Sequence, residues 1–156
     1  MTTRPVRITV VGAGRCDDAT ASIAERVGQE IARRGGILLC GGLGGVMKAA
    51  ARGARSAGGT TVGILPGKDA DDANAYIDIP IATGMGEARN VLNVRAGDAV
   101  VALKGSHGTL SEVALALKMG VPVVVLDDTM ALPGTVRAES PEDAVARALQ
   151  LIAGVR

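Results

Sequence analysis

The sequence predicts an α/β domain built on a mostly parallel sheet with helices on both faces, and three observations predict it. Six short apolar runs rich in β-branched residues recur along the chain, stretches of helical spacing separate most of them, and glycines gather where the runs end. Continuous apolar runs of four to six residues suit strands covered on both faces, and parallel neighbours need crossovers that helices supply economically. With 156 residues, the chain fits a single Rossmann-like three-layer domain over 1–156.

Taken in order, Ile8–Val11 is the first strand. Asp17 and Asp18 are N-cap candidates for a helix whose stripe is Ile23, Val27 and Ile31, and Gly35-Gly36 ends it. Ile37–Cys40 follows as the second strand. Met47, Ala50, Ala51 and Ala54 mark the second helix, stopped by Gly58-Gly59 before the third strand at Thr60–Leu65. The polar stretch Lys68–Asn74 reads as a mobile loop, and Ile77–Ile81 as the fourth strand. Ala99–Leu103 is the fifth. Val113, Ala114, Leu117 and Met119 lie in the helix after it, which Gly120 and Pro122 close, and Val121–Leu126 is the sixth strand. Ser140 as N-cap, Pro141 at the first helical position and the acids Glu142 and Asp143 open a last helix toward Ala153.

Composition removes several function classes. Seventeen Lys+Arg against sixteen Asp+Glu give a net charge of +1, so no global field draws the chain to nucleic acid or anionic membrane. Tyr76 is the one aromatic residue, which leaves no stacking platform for single strands. Cys16, Cys40 and His107 cannot assemble the usual zinc sets, so no metal site is expected, and both cysteines read as buried thiols of a reducing cytosol. The amino-terminal apolar run is too short for a secretory core or a membrane span. A cytoplasmic protein is expected.

Ligands of open parallel sheets lie beyond the carboxyl ends of the strands, and four loops stand there. Gly12-Ala13-Gly14 begins like a dinucleotide fingerprint, but Asp17 occupies the place of the third glycine; Gly12 and Gly14 either form a tight turn or face a ligand. Gly41, Gly42, Gly44 and Gly45, ahead of Met47, form a strand-to-helix turn whose backbone amides suit an anion. Gly105, Ser106, His107, Gly108 and Thr109 repeat that logic ahead of another helix, with Glu112 inside its start. A Walker A loop is absent, because Gly67-Lys68 is followed by Asp69. The fourth loop, Gly84–Asn90, carries Arg89, a partner for phosphate or for Glu112 unless it is simply solvated on a short surface helix.

The second, third and fourth loops together resemble the SLOG superfamily, which includes the LOG-type phosphoribohydrolases and the small molybdenum cofactor carriers, over about residues 8–126. The similarity rests on Gly41-Gly42-Leu43-Gly44-Gly45-Val46-Met47, on Gly63-Ile64-Leu65-Pro66, and on Gly105-Ser106-His107-Gly108-Thr109-Leu110-Ser111-Glu112. The last is similar to the LOG signature Pro-Gly-Gly-x-Gly-Thr-x-Glu-Glu. The resemblance implies that Gly105, Gly108 and Thr109 take phosphate, that Glu112 matches the functional glutamate and that Arg89 matches its arginine partner. Lys104, Ser106 and Ser111 depart from the signature, and Ala88-Arg89-Asn90 stands where the hydrolases carry Glu-Arg-Lys. The lysine decarboxylase label once given to such sequences finds no cofactor-site context around Lys48, Lys68, Lys104 or Lys118.

Two functions follow from the resemblance. One is binding of a phosphorylated heterocycle, a nucleotide or the molybdenum cofactor as cargo, in the manner of the cofactor carriers. The other is hydrolysis of the N-glycosidic bond of nucleoside 5′-monophosphates, with Glu112 and Arg89 as catalytic residues and no catalytic cofactor required. A homodimer or homotetramer is implied, with neither nucleic acid nor membrane as partner. The common expectation is that amides at two helix starts converge on one anion, with the Arg89 guanidinium close by.

Overall fold

A computed structural model describes residues 4–155. Residues 1–3 and Arg156, which the single-domain reading includes, lie outside them. Seven strands, β1 (Arg7–Val11), β2 (Ile37–Cys40), β3 (Thr61–Leu65), β4 (Ile79–Ala82), β5 (Ala99–Ala102), β6 (Val123–Val125) and β7 (Val136–Arg137), form one sheet. Five helices, α1 (Asp18–Arg33), α2 (Val46–Ser56), α3 (Arg89–Ala96), α4 (His107–Lys118) and α5 (Pro141–Val155), cover it. The strand order is β4-β3-β2-β1-β5-β6-β7, and every pairing is parallel. The chain winds outward from β1 through β4, then returns to the other side of β1 as β5. The direction of winding therefore switches between β1 and β5, the place where such sheets open a crevice at their carboxyl ends.

The core lies on both faces of the central strands. One cluster joins Ile8, Val10, Leu38 and Val101 to α1, α2 and α5, and the other packs Val11, Val100 and Val125 against Val94 and Val113. The helix signals act as the residues dictate. Asp17 caps α1 by accepting from the Thr20 amide at 2.8 Å, and Gly35, Gly58 and Gly120 follow the ends of α1, α2 and α4 at φ of 74°, 77° and 73°.

Several local expectations change. The run Ile77–Ile81 yields β4 at Ile79–Ala82, but β4 is a sheet edge with all four residues exposed, not a strand covered on both faces; Pro80 suits that edge because it donates no ladder hydrogen bond. Ile23 lies outside the buried stripe of α1, which is Ala24, Val27, Gly28 and Ile31. Cys40 is buried as expected, but Cys16 is only half-buried. Strand β7, two residues long, carries no periodic signal. Lys68–Asn74 contains a short 3₁₀ turn at Ala70–Asp72, and its end is fastened to the glycine turn after β2: the Asn74 amide donates to Gly42 O at 2.9 Å and Asn74 Nδ2 to Leu43 O at 2.8 Å.

The tightest helix pair is α1 against α2. A Cβ added to Gly28 would come within 1.9 Å of Ala50 O, and one added to Gly53 within 2.0 Å of Glu25 O. The two backbones meet at reciprocal glycines, which brings α2 and its preceding turn close to the switch point.

Candidate functional site

Helix α3 is the platform of the site. Its position is fixed from below by Thr9, a buried hydroxyl in β1 that donates to Asn93 O at 2.8 Å. Arg89 and Asn93 lie one turn apart and so share a face of α3. Both are buried, at 8% and 1% exposure. Arg89 is therefore not a solvated surface cation. Its Nη1 donates to the Asn90 side-chain oxygen, whereas its Nε is buried with no hydrogen-bond partner among the described residues. An orphaned guanidinium nitrogen inside a protein is costly unless something else supplies the acceptor.

Opposite α3 stands the start of α4. Ser106 occupies the N-cap without a side-chain cap bond, and the Leu110 amide makes the first helical bond, to Ser106 O at 3.0 Å. The preceding amides belong to the set a helix cannot satisfy internally, and they sit at its positive end. Glu112, one turn and a half into α4, accepts from Asn93 Nδ2 at 2.8 Å and is 8% exposed. Burial pushes its carboxyl up to about 7, against the opposing pulls of the Asn93 hydrogen bond and the Arg89 charge. Near them the Cys40 thiol is pushed up to about 12 by burial, so it stays neutral.

These groups open on a cavity of about 300 Å³. It is lined from the carboxyl ends of five strands: Gly12 and Gly14 after β1, Leu43 and Met47 after β2, Pro66 after β3, Glu87, Arg89 and Asn90 after β4, and Ser106, Gly108, Thr109 and Glu112 after β5. A second cavity of about 440 Å³ adjoins it at the switch point, lined by Arg15, Cys16, Asp17, Lys104 and Gly105 and sharing Ala13, Gly14 and Ser106 with the first.

The predicted residues thus divide. Arg89, Glu112, Gly12, Gly14, Met47, Ser106, Gly108 and Thr109 come together around one cavity. Gly105 lies on the second, and His107 faces outward into a groove beside Ala88, Val91 and Leu115. Gly41, Gly42, Gly44 and Gly45 do not line the cavity; close packing accounts for them. A Cβ at Gly41 would lie 2.7 Å from both Arg89 Nη2 and Met47 Sδ, one at Gly42 would meet Leu65, and Gly44 and Gly45 rest on the backbone of Ala13 and Gly14. The Val46 amide at the start of α2 already donates to Ala13 O at 2.9 Å. The expected convergence of two helix starts therefore reduces to the start of α4, with the β2 turn acting as a bed for the guanidinium and contributing Leu43 and Met47.

Sequence reading missed Asn93, the one side chain among the described residues that hydrogen-bonds the Glu112 carboxyl group. A polar residue four positions after Arg89, set among Val91, Leu92 and Val94, was the available signal.

A parallel sheet with a winding switch, and a cavity across its carboxyl rim, define a Rossmann-like α/β domain. The chain belongs to the SLOG cluster4 family, whose model matches residues 5–151. It is 50% identical over 140 residues to an uncharacterised protein of Archaeoglobus fulgidus, covering 90% of this chain and 92% of that one. Among solved structures it is similar to the molybdenum cofactor binding protein of Rippkaea orientalis, at 40% identity and a TM-score of 0.92, covering 97% of this chain and 99% of that one. It is also similar to the Moco carrier protein of Chlamydomonas reinhardtii, at 39% identity and a TM-score of 0.87, with the same coverage.

Proposed function

We propose that this protein binds a phosphorylated heterocycle of the pterin class and carries it as cargo, with the phosphate held between the start of α4 and Arg89. The observation that carries this reading is that Arg89, whose buried Nε has no partner among the described residues, lines a cavity that an uncapped helix start also lines. A phosphate supplies the acceptor that the guanidinium lacks and the negative charge that a helix start favours. Likeness to the molybdenum cofactor binding protein of Rippkaea orientalis and the Moco carrier protein of Chlamydomonas reinhardtii supports the molybdenum cofactor as the ligand class. In this reading Gly108, Thr109 and Ser106 meet the phosphate, Leu43, Met47 and Pro66 meet the ring, and the metal travels on its pterin. Among the described residues no group of three or more His, Cys, Asp or Glu side chains is arranged to hold a metal ion.

The test is equilibrium dialysis of the purified protein against the molybdenum cofactor under anaerobic conditions. Retention at micromolar concentration that is lost in Arg89→Ala supports the proposal, and no retention by the unaltered protein refutes it.

One observation favours a second reading, hydrolysis of nucleoside 5′-monophosphates. A carboxyl group near 7 beside an arginine has the protonation range of a general acid. Incubation with AMP, GMP and CMP decides it: release of free base and ribose 5-phosphate, abolished in Glu112→Gln, marks an enzyme.

The ligand is taken to be a small molecule and not a nucleic acid, in keeping with the single aromatic residue, Tyr76. No helix among the described residues is long and apolar enough to cross a membrane; a cytoplasmic location is part of the proposal. Self-association as a dimer or tetramer is proposed from the exposed Ile79 and Ile81 of β4 and Val91 and Leu92 of α3; light scattering at micromolar concentration tests it.

A further inference from the structure

Two glycines on the rim have no structural reason to be glycine. Gly14 and Gly108 do not adopt positive φ, and a Cβ built on either meets nothing within 4 Å. Most glycines of the neighbouring turns differ, since at those positions a side chain would strike backbone or core. Gly108 lines the cavity that holds Arg89, and Gly14 sits where that cavity meets the larger one at the switch point. Open space over a bare peptide at such a junction is what a ligand needs to pass from one chamber to the next at van der Waals distance.

The larger chamber has its own charge. Its titratable groups are Arg15, Lys104, Asp17 and Cys16. The Asp17 carboxylate is engaged as the cap of α1, which also closes that helix start to an anion. Arg15 and Lys104 form no ion pair and no side-chain hydrogen bond among the described residues. They approach from opposite sides of the switch point, one after β1 and one after β5. Two cations and one carboxylate leave the chamber with a net positive charge. Its volume of about 440 Å³ is that of a site for a further ligand moiety, because sites for small molecules begin near 300 Å³.

We propose that the ligand site is bipartite and that the chain prefers a pyrophosphate-linked conjugate over a monophosphate. The heterocycle and first phosphate occupy the Arg89 chamber, the linkage crosses over Gly14 and Ser106, and the second phosphate with its nucleoside lies between Arg15 and Lys104. This rests on the phosphate reading of the Arg89 chamber and adds a specificity to it.

The experiment compares two probes by fluorescence titration: an oxidised pterin monophosphate and the same pterin joined through pyrophosphate to guanosine. The conjugate is expected to bind at least about tenfold more tightly, as added charge-assisted contacts imply. In the double variant Arg15→Ala/Lys104→Ala the ratio of the two affinities falls toward one. Equal affinities in the unaltered protein, or a ratio that survives the double variant, overturn the second subsite while leaving the first chamber as a phosphate site. Binding of neither probe overturns both. Circular dichroism of the double variant guards against misfolding, and because both side chains are exposed an unchanged melting curve is expected.

Discussion

Asn93 donates its side-chain amide to Glu112 at 2.8 Å, yet its own Oδ1 is buried without a partner among the described residues. The carboxyl group is thus held from one side only, in a pocket dry enough to keep it half protonated near neutral pH. Together with the orphaned Arg89 Nε, this leaves a donor and an acceptor unspent on the same face of α3. Unspent hydrogen bonds inside a fold are a stability cost that ligand contact offsets.

The pH dependence of folding reports this arrangement. Glu112 has a folded-state pKa of about 7, above its ordinary value of 4.5, so between those values the native state holds more protons than the unfolded chain. Its contribution is fully present below about pH 4.5 and is lost as pH rises to about 7. At about 1.4 kcal/mol per pH unit, the loss is on the order of 3 kcal/mol. Urea unfolding at pH 5 and pH 8 should show that decline, and Glu112→Gln should flatten it. Parallel pH profiles for the two proteins would mean the carboxyl is not buried as described.

Arg89→Ala should abolish stabilisation by pterin monophosphate, with affinity falling about tenfold or more for the lost charged hydrogen bonds. It should also raise the Glu112 pKa further, because the arginine pulls it down. Arg89→Lys should not restore binding, since a point charge cannot replace the planar fork. Thermal shift with the pterin and a carbon-13 titration of Glu112 read the two effects separately.

Gly108→Ala and Gly14→Ala separate folding from binding. Neither side chain meets an obstacle, and at Gly108, in the first turn of α4, alanine reduces the entropy of the unfolded chain by up to about 1 kcal/mol. Melting temperature should hold or rise for both variants, while pterin binding weakens. A variant that binds normally would show that the ligand does not lie over that peptide.

Gly28→Ala should do the reverse. A methyl group 1.9 Å from Ala50 O forces α1 away from α2, at a cost of about 3 kcal/mol or more. Gly53→Ala should behave alike, because Glu25 O stands 2.0 Å from its added carbon. Chemical denaturation of either variant measures the loss, and wild-type stability would refute the close crossing.

Much of the fold was legible because local chemistry spoke for it. Asp17 and Ser140 announce helix starts and Gly35, Gly58 and Gly120 announce ends, while the buried strands β1, β5 and β6 are continuous apolar runs because both faces are covered. The edge strand β4 was harder, since Ile79 and Ile81, 50% and 46% exposed, look like core residues in a linear reading. Within the site, Arg89, Glu112 and Thr109 were readable from motif. The role of the Gly41–Gly45 turn was not, because nothing in a row of glycines says whether the missing side chains make room for a ligand or for Arg89, Leu65 and Gly14.

By itself, then, the sequence determined the layered α/β architecture and the strand-end loops, since propensity, capping and apolar periodicity act over a few residues, while the resemblance of its motifs pointed to Arg89 and Glu112. Only the tertiary structure decided that Arg89 is buried with its Nε unpartnered among the described residues, that Asn93 holds Glu112, and that Gly14 and Gly108 face open space. Those properties arise from groups brought together across β1, α3 and α4, and burial is a sum over neighbours that no single segment contains.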